Sequence, residues 1–293
     1  MHRVATHYGV CDHFAGNTEW EGADWQDEKQ MWRVRLRDLQ TGDRFTQECR
    51  ILISGVGALV NPRKMDIEGS ETFEGTVIHT AEWQQEVDLR DKHVSVIGNG
   101  ASAIQLVPEI IKEAKSITQF MRRRIFDRAY VASLHQDKLT LTNDPIVQIK
   151  PTAIVTSSKE EVYTDIIILA TGFALTQYDT EIIGRHGKTR EQHWKETDGK
   201  ATFKTVAMSE FPNFFYILGP NSGRIYTSTI ATIERQVSLV INAIRPIILC
   251  HASSVEVRTS EDKQYQDSLA HALDNTIYTR SCSGVGLTST KVK

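Results

Sequence analysis

The string Gly98-x-Gly100-x-x-Ala103 follows directly on the β-branched run Val94-Ser95-Val96-Ile97 and leads into Ile104-Gln105-Leu106-Val107. Those residue types at that spacing suit the binding of a dinucleotide diphosphate. The first glycine allows a tight turn, and the second lets the main chain approach a pyrophosphate. The small Ala103 lets helix and strand pack closely, and the free amides of the helix start face the anion. Gly98, Gly100, Ala101, Ser102, Ala103 and Gln105 are therefore candidate cofactor-binding residues. Ser102 reads as a hydrogen-bond donor to phosphate rather than a nucleophile, because no GxSxG surrounds it. A glycine turn shaped only by packing is the plainer alternative.

About 20 residues further on, an NAD site needs an acid for the ribose 2′-hydroxyl. This chain instead has Thr118-Gln119-Phe120-Met121-Arg122-Arg123-Arg124, with no acid before Asp127. Guanidinium forks match a 2′-phosphate, so Arg122 is a candidate ligand for NADP. The bland alternative is a solvated basic strand end.

The elements that must position these residues are legible as periodicities. Val94 to Ile97 reads as a strand, Ile104 to Ile111 as a helix, and Ser116 to Met121 as the next strand. Pro108 predicts a kink or a short helix, since an interior proline costs ~3 kcal/mol. Trp32 to Arg37 alternates apolar and basic residues, and Arg44 to Gly55 continues past the turn Gln40-Thr41-Gly42-Asp43, so a β-meander feeding a buried strand is predicted. Further strands are expected over 146–155 and 161–170, around Ser157-Ser158-Lys159, and over 214–218. Thr229 to Leu249 reads as a long helix with apolar Ile230, Ile233, Val237, Val240 and Ile241 on one stripe, and Ser260 to Asn275 as a second helix. The polar tail after Cys282 predicts fraying.

The polar stretch Gly184 to Gly199, with His186, His193 and Trp194, reads as a surface loop. His193 has no partner at metal-ligand spacing and reads as a solvated histidine; no metal site is predicted. Asp24, Asp27 and Glu28 read as a solvated acidic patch beside Trp20 and Trp25.

Composition narrows the classes. The 293 residues allow one large domain or two ordinary ones, and 40% hydrophobic residues supply a core. Lys+Arg is 34 against 37 Asp+Glu, a net −3, which leaves no footprint for nucleic acid or an anionic membrane. No apolar run approaches the ~18 residues of a membrane span, and Met1 to Asp12 lacks a secretory pattern. Cys11, Cys49, Cys250 and Cys282 are scattered without a CxxC, which favours a reducing, cytoplasmic setting and disfavours a disulfide reductase.

Phe73-Glu74-Gly75-Thr76-Val77-Ile78-His79-Thr80-Ala81-Glu82-Trp83 fits FxGxxxHxxxW. By residue type alone, Phe73 and Trp83 read as core anchors and His79 as a linker histidine. Placed shortly before the GxGxxA turn, the string resembles the fingerprint of the Baeyer–Villiger monooxygenases and their flavin-containing monooxygenase relatives. Ser54-Gly55-Val56-Gly57 is similar to the first "ATG" turn of such flavoproteins, and Asp165 to Phe173 to their second "D…ATGF" segment. Phe211 to Phe215 and Gly219 to Gly223 resemble the late segment that reaches the flavin. The resemblance runs from about Trp20 to Cys282 and looks closest to the fungal, secondary-metabolism type.

That resemblance implies an α/β, Rossmann-like architecture binding two dinucleotides, with a β-meander. It implies an enzyme that uses NADPH, FAD and O₂ to insert one oxygen atom into a ketone or related small organic substrate. Phe73, Gly75, His79 and Trp83 would form the fingerprint, and Thr171, Gly172 and Asn221 would lie by the cofactors. An arginine stabilising the negatively charged oxygen–flavin species falls on Arg123 or Arg124. By this reading residues 86–159 form the NADP-binding domain, and 1–85 with 160–293 form FAD-domain-like segments.

Two departures stand against it. No FAD-type GxGxxG precedes Trp32, so the architecture is expected to be incomplete at its N-terminus. The family's helical insertion after Arg122 is also missing. The alternative expectation is therefore a truncated, inactive NADP-binding remnant, or a subunit met by a completing chain or a homo-oligomeric copy. A plain NADP-dependent dehydrogenase would not need the Phe73–Trp83 and Asp165–Phe173 segments.

Overall fold

The computed structural model describes residues 2–57, 59–83, 87–121, 128–174, 180–197, 199–222 and 228–274. Arg122, Arg123, Arg124, Cys282 and the polar tail lie outside these described residues. The chain forms two units, 58–176 and 1–57 with 177–293.

In the unit 58–176, short apolar runs build a five-stranded, wholly parallel sheet. Its order is Thr76–His79, Ile166–Leu169, His93–Ile97, Ser116–Phe120, Leu139–Thr142. A parallel sheet is covered on both faces, so its strands read as continuous apolar runs rather than alternating ones; all four residues of Ile166–Leu169 are buried. The helix Ala101–Ile110 connects His93–Ile97 to Ser116–Phe120 and buries Ala103, Val107 and Ile110 at i, i+4 and i+7. Those residues pack on Val94, Val96, Ile117, Ile166 and Ile168. Ile167 and Leu169 point to the other face, where Ile149 and Ile154 cover them. The helix runs through Pro108 and stops two residues later.

The stretch expected as one strand over 146–155 is a hairpin, Ile146–Lys150 paired with Ala153–Thr156. Pro151 has no N–H to give to a ladder and sits in the turn between them. The stretch 161–170 is likewise two strands: Glu161–Tyr163 continues the hairpin, and Ile166–Leu169 joins the parallel sheet. This unit is wider than the stretch 86–159, because Thr76–His79 and Ile166–Leu169 pair into its sheet.

In the other unit, Thr18–Gln26, Met31–Asp38 and Arg44–Cys49 form an antiparallel meander, and Glu181–Ile183 adds in parallel to the first strand. Its core gathers Trp25, Trp32, Val34, Ile182, Trp194, Phe211, Phe214 and Tyr216. Leu52–Ser54 pairs in parallel with Phe214–Tyr216.

Three expectations fail in this unit. Gly184 to Gly199 is not a surface loop: it holds the helix Arg190–Glu196, which buries Arg190, His193 and Trp194. A capping box starts that helix, with Thr189 and Gln192 each bonding the other's main-chain N–H. Two of the three buried side chains are held locally: Trp194 Nε1 donates to the Ala201 carbonyl at 2.9 Å, and Arg190 lies over the Trp194 ring at 4.6 Å. His193 is therefore not solvated; it is 3% exposed, with Nε2 3.5 Å from the Asp262 carboxylate.

The acidic patch is also misread. Asp24 is buried between Arg33 and Arg35 at 2.9 and 2.8 Å, and Asp27 pairs with Arg185 at 2.7 Å; only Glu28 is exposed. Finally, the helix Thr229–Ile248 turns a different stripe inward. Gln236, Val240, Ile244 and Ile247 are buried, whereas Ile230, Val237 and Ile241 are exposed. Gln236 sets that rotation: its amide accepts from Leu218 N–H at 2.9 Å and donates to Thr205 at 2.8 Å. The second helix spans Thr259–Asp274.

Candidate functional site

The strand register brings three motifs together. Leu169 lies beside both His79 and Ile97, and Ile97 lies beside Phe120. The fingerprint's His79, the Gly98 turn and the Thr171-Gly172 segment therefore share the carboxyl edge of one parallel sheet. That edge is where open α/β sheets bind ligands.

Gly98 is required twice over. Its φ is +117°, and a Cβ there would lie 2.4 Å from the Ala170 carbonyl oxygen. Gly98 N–H donates to the Phe120 carbonyl at 2.9 Å. Gly100 differs: it caps the helix Ala101–Ile110 without a side-chain hydrogen bond, and an added Cβ would meet nothing within 4 Å. The space beside the helix start at Gly100 is thus open, with Ala101, Ser102 and Gln105 exposed and Ala103 fully buried against the sheet. Between the two glycines, Asn99 Nδ2 is buried and has no hydrogen-bond partner among the described residues. A buried donor without an acceptor is costly. A phosphate oxygen arriving at this turn would satisfy it.

His79 ties the edge together. Its Nε2 donates to the Gly172 carbonyl at 2.9 Å, and its Nδ1 accepts from Ala81 N–H at 3.1 Å. Both bonds require the neutral, Nε2-protonated ring. The same Gly172 carbonyl accepts from Arg63 N–H at 3.0 Å, and Thr171 Oγ1 donates to the Arg63 carbonyl at 3.3 Å. Gly172 has φ +75°. Gly75 is demanded by close approach, since a Cβ there would lie 2.3 Å from the Asp165 carbonyl oxygen. Phe73 packs against the Ile149–Ile154–Ile167 cluster, as expected of a core anchor. Trp83 does not: it is 36% exposed.

At the amino edge of the sheet, Asp165 accepts from His93 N–H at 2.7 Å and from the Tyr163 hydroxyl at 2.9 Å. Burial pushes its carboxyl up, but these bonds outweigh it and hold it below the usual carboxylate range.

In the other unit, the Ser54-Gly55-Val56-Gly57 turn follows Leu52–Ser54, with Gly57 at φ +70° and Ser54 Oγ buried without a partner among the described residues. Tyr216 lies beside Ser54, so the segment leading to Asn221 leaves the same end of that strand pair. Asn221 has φ +65°, and its Nδ2 donates to the Lys200 carbonyl at 3.4 Å.

Comparisons with known proteins show which enzymes the chain is similar to. A family model for L-lysine 6-monooxygenase/L-ornithine 5-monooxygenase matches residues 13–141. The FAD-binding monooxygenase ktnD of Aspergillus niger is 25% identical over 84% of this chain and 56% of its own length. A Baeyer–Villiger monooxygenase of Pseudomonas aeruginosa is 24% identical over 89% of this chain and 65% of its own. The chain is similar to Baeyer–Villiger and FAD-binding monooxygenases over most of its length. The fold is shared as well. A solved structure of cyclohexanone monooxygenase from Rhodococcus sp. Phi1 bound to NADP+ superposes with a TM-score of 0.81 at 18% identity, covering 98% of this chain and 76% of that one. Against these monooxygenases, the chain spans little more than half to about two thirds of the curated relatives' length.

Residue-type reasoning passed over three participants. Asn99 lies inside the glycine string itself. Gln119 and Tyr130 are joined to each other and to Gly98, and the available signal was Gln119, a polar residue within the strand Ser116–Phe120.

Proposed function

We propose that the chain binds NADPH at the Gly98 turn and acts as an FAD- and NADPH-dependent monooxygenase, placing one oxygen atom of O₂ into a ketone or related small organic substrate. The observation that carries this reading is the open cradle at Gly100 beside the unpartnered Asn99 amide, on the edge shared by His79 and Gly172. NADP fits it. Asn99, the amides from Gly100 onward and the Ser102 hydroxyl would hold the diphosphate, with Arg122 on the 2′-phosphate. The nicotinamide supplies a hydride when bound. The protein's part is to bind the dinucleotide, aim it and hold Gly172 in place through His79. Arg123 or Arg124 would supply positive charge beside the reacting oxygen.

FAD fits only in part. Ser54, Gly57 and Asn221 offer turns for a flavin within one unit, but the described residues hold one glycine-rich strand–turn–helix, not two. A second reading is an NADP-binding remnant or subunit whose flavin grip comes from a completing chain or another copy. Fungal relatives such as ktnD support a role in secondary metabolism. Four scattered cysteines without a CxxC suit a cytoplasmic setting. Among the described residues no helix is long and apolar enough to cross a membrane.

The test is a visible spectrum of the purified chain with added FAD. A stoichiometric yellow holoprotein that consumes NADPH supports the monooxygenase and sinks the remnant. Colourless protein that still binds NADPH does the reverse.

A further inference from the structure

The strand Ser116–Phe120 carries a fully buried amide, Gln119, at 0% exposure. Its Nε2 donates to the Gly98 carbonyl at 2.9 Å. Its Oε1 accepts from the Tyr130 hydroxyl at 2.7 Å. Tyr130 belongs to the helix Arg128–Ser133 and is 2% exposed. The orientation of this amide follows from chemistry: a carbonyl only accepts, so nitrogen must face Gly98 and oxygen must face the phenol. Burial pushes the Tyr130 phenol up, against a smaller opposing effect from Gln119, so it stays a donor at neutral pH.

Gly98 is thereby held at both polar atoms from one strand. Phe120 takes its N–H, and Gln119 grips its carbonyl. The second grip matters more for a ligand. In a trans peptide the C=O of one residue and the N–H of the next point in opposite directions. Holding the Gly98 oxygen against Gln119 therefore turns the Asn99 N–H away from the strand Ser116–Phe120. A glycine at φ +117° has little intrinsic preference that would hold this peptide plane by itself.

We propose that Gln119 and Tyr130 are positioning residues for dinucleotide binding, a buried relay that locks the Gly98–Asn99 peptide plane so that the turn's donors are preset for the diphosphate. The proposal rests on the reading that this turn binds NADP. A ligand that finds its donors already oriented avoids the cost of ordering them.

The experiment is a titration of the purified chain with NADP+, with a thermal melt of each variant alongside. Wild type is expected to bind. Tyr130→Phe and Gln119→Met, folded by circular dichroism, are expected to raise Kd about tenfold, the effect of leaving one buried hydrogen-bonding group unmade. Gln119→Glu can donate to Gly98 only when protonated. Its Kd relative to wild type should therefore be larger at pH 8 than at pH 6, a dependence that a merely structural role does not produce. Kd values within twofold of wild type for Tyr130→Phe and Gln119→Met overturn the proposal, even if their melting temperatures fall. If the Gln119 variants do not fold, Tyr130→Phe, which removes a single hydroxyl, decides by the same criterion. Wild type that fails to bind NADP+ overturns the dinucleotide reading itself and the relay's role with it.

Discussion

A methyl group added at Gly100 would meet no heavy atom of the protein within 4 Å, and the residue's φ of −76° and ψ of −169° suit alanine. Two effects of Gly100→Ala on stability oppose each other. Alanine restricts the unfolded chain, which stabilises by about 0.4–1 kcal/mol. It is also a poorer N-cap than glycine, which costs roughly the same. The net change stays within about 1 kcal/mol, a shift of no more than roughly 2–4 °C in Tm for a chain of this size. Binding should respond differently. The methyl projects about 1.5 Å into the space the diphosphate must enter. Pushing the anion off one main-chain amide forfeits a charge-assisted bond of about 1.5–3 kcal/mol, at least tenfold in Kd. Calorimetric titration with NADPH at fixed salt, paired with a thermal melt, reads both quantities on one sample. An unchanged Kd in a normally folded Gly100→Ala variant would refute the placement of the diphosphate.

Other substitutions probe the same edge and the second unit. Gly98→Ala drives a Cβ to 2.4 Å from the Ala170 carbonyl oxygen at a φ of +117°, and should cost about 3 kcal/mol or more, seen as a lower urea midpoint. His79→Ala removes the donor to Gly172 and leaves Ala81 N–H unpaired, so amide exchange at Ala81 should accelerate about tenfold or more. His193 is held below its ordinary 6.5 by burial, against the opposing pull of Asp262 and Glu210. Its folded pKa is depressed, so below pH 6.5 the unfolded chain takes up the proton first. The stability linked to His193 is then lost as pH falls from 6.5 toward its folded value. Melts at pH 7.5, 6.5 and 5.5 should decline less steeply for His193→Gln than for wild type, and equal slopes would contradict the assignment.

The parts legible in the sequence were those whose residue types speak for themselves. Val94 to Ile97 followed by Gly98, Gly100 and Ala103 announced a strand, a turn and a helix, and each is there. What stayed hidden depended on partners distant in sequence. Thr18–Gln26 holds Glu19, Glu21, Gly22 and Asp24, poor strand formers, yet Asp24 is buried because Arg33 and Arg35 reach it from the next strand. His193 and Trp194 looked solvated because their neighbours are polar; Asp262, Phe211 and Ala201 cover them. The long helix was rotated by Gln236, whose partners Leu218 and Thr205 no helical periodicity can show. The insertion of Ile166–Leu169 between Thr76–His79 and His93–Ile97 brings the motifs together, and a sequence read in order does not display it.

Whether the glycine turn on this parallel sheet is an NADP site is decided by calorimetric titration of the purified chain with NADP+ and, separately, NAD+ at one salt concentration. Saturable one-to-one binding of NADP+ is expected, weakened about tenfold or more for NAD+, which lacks the 2′-phosphate that Arg122 would grip. Heat signals indistinguishable from dilution for both nucleotides, from a chain shown to be folded, would contradict it.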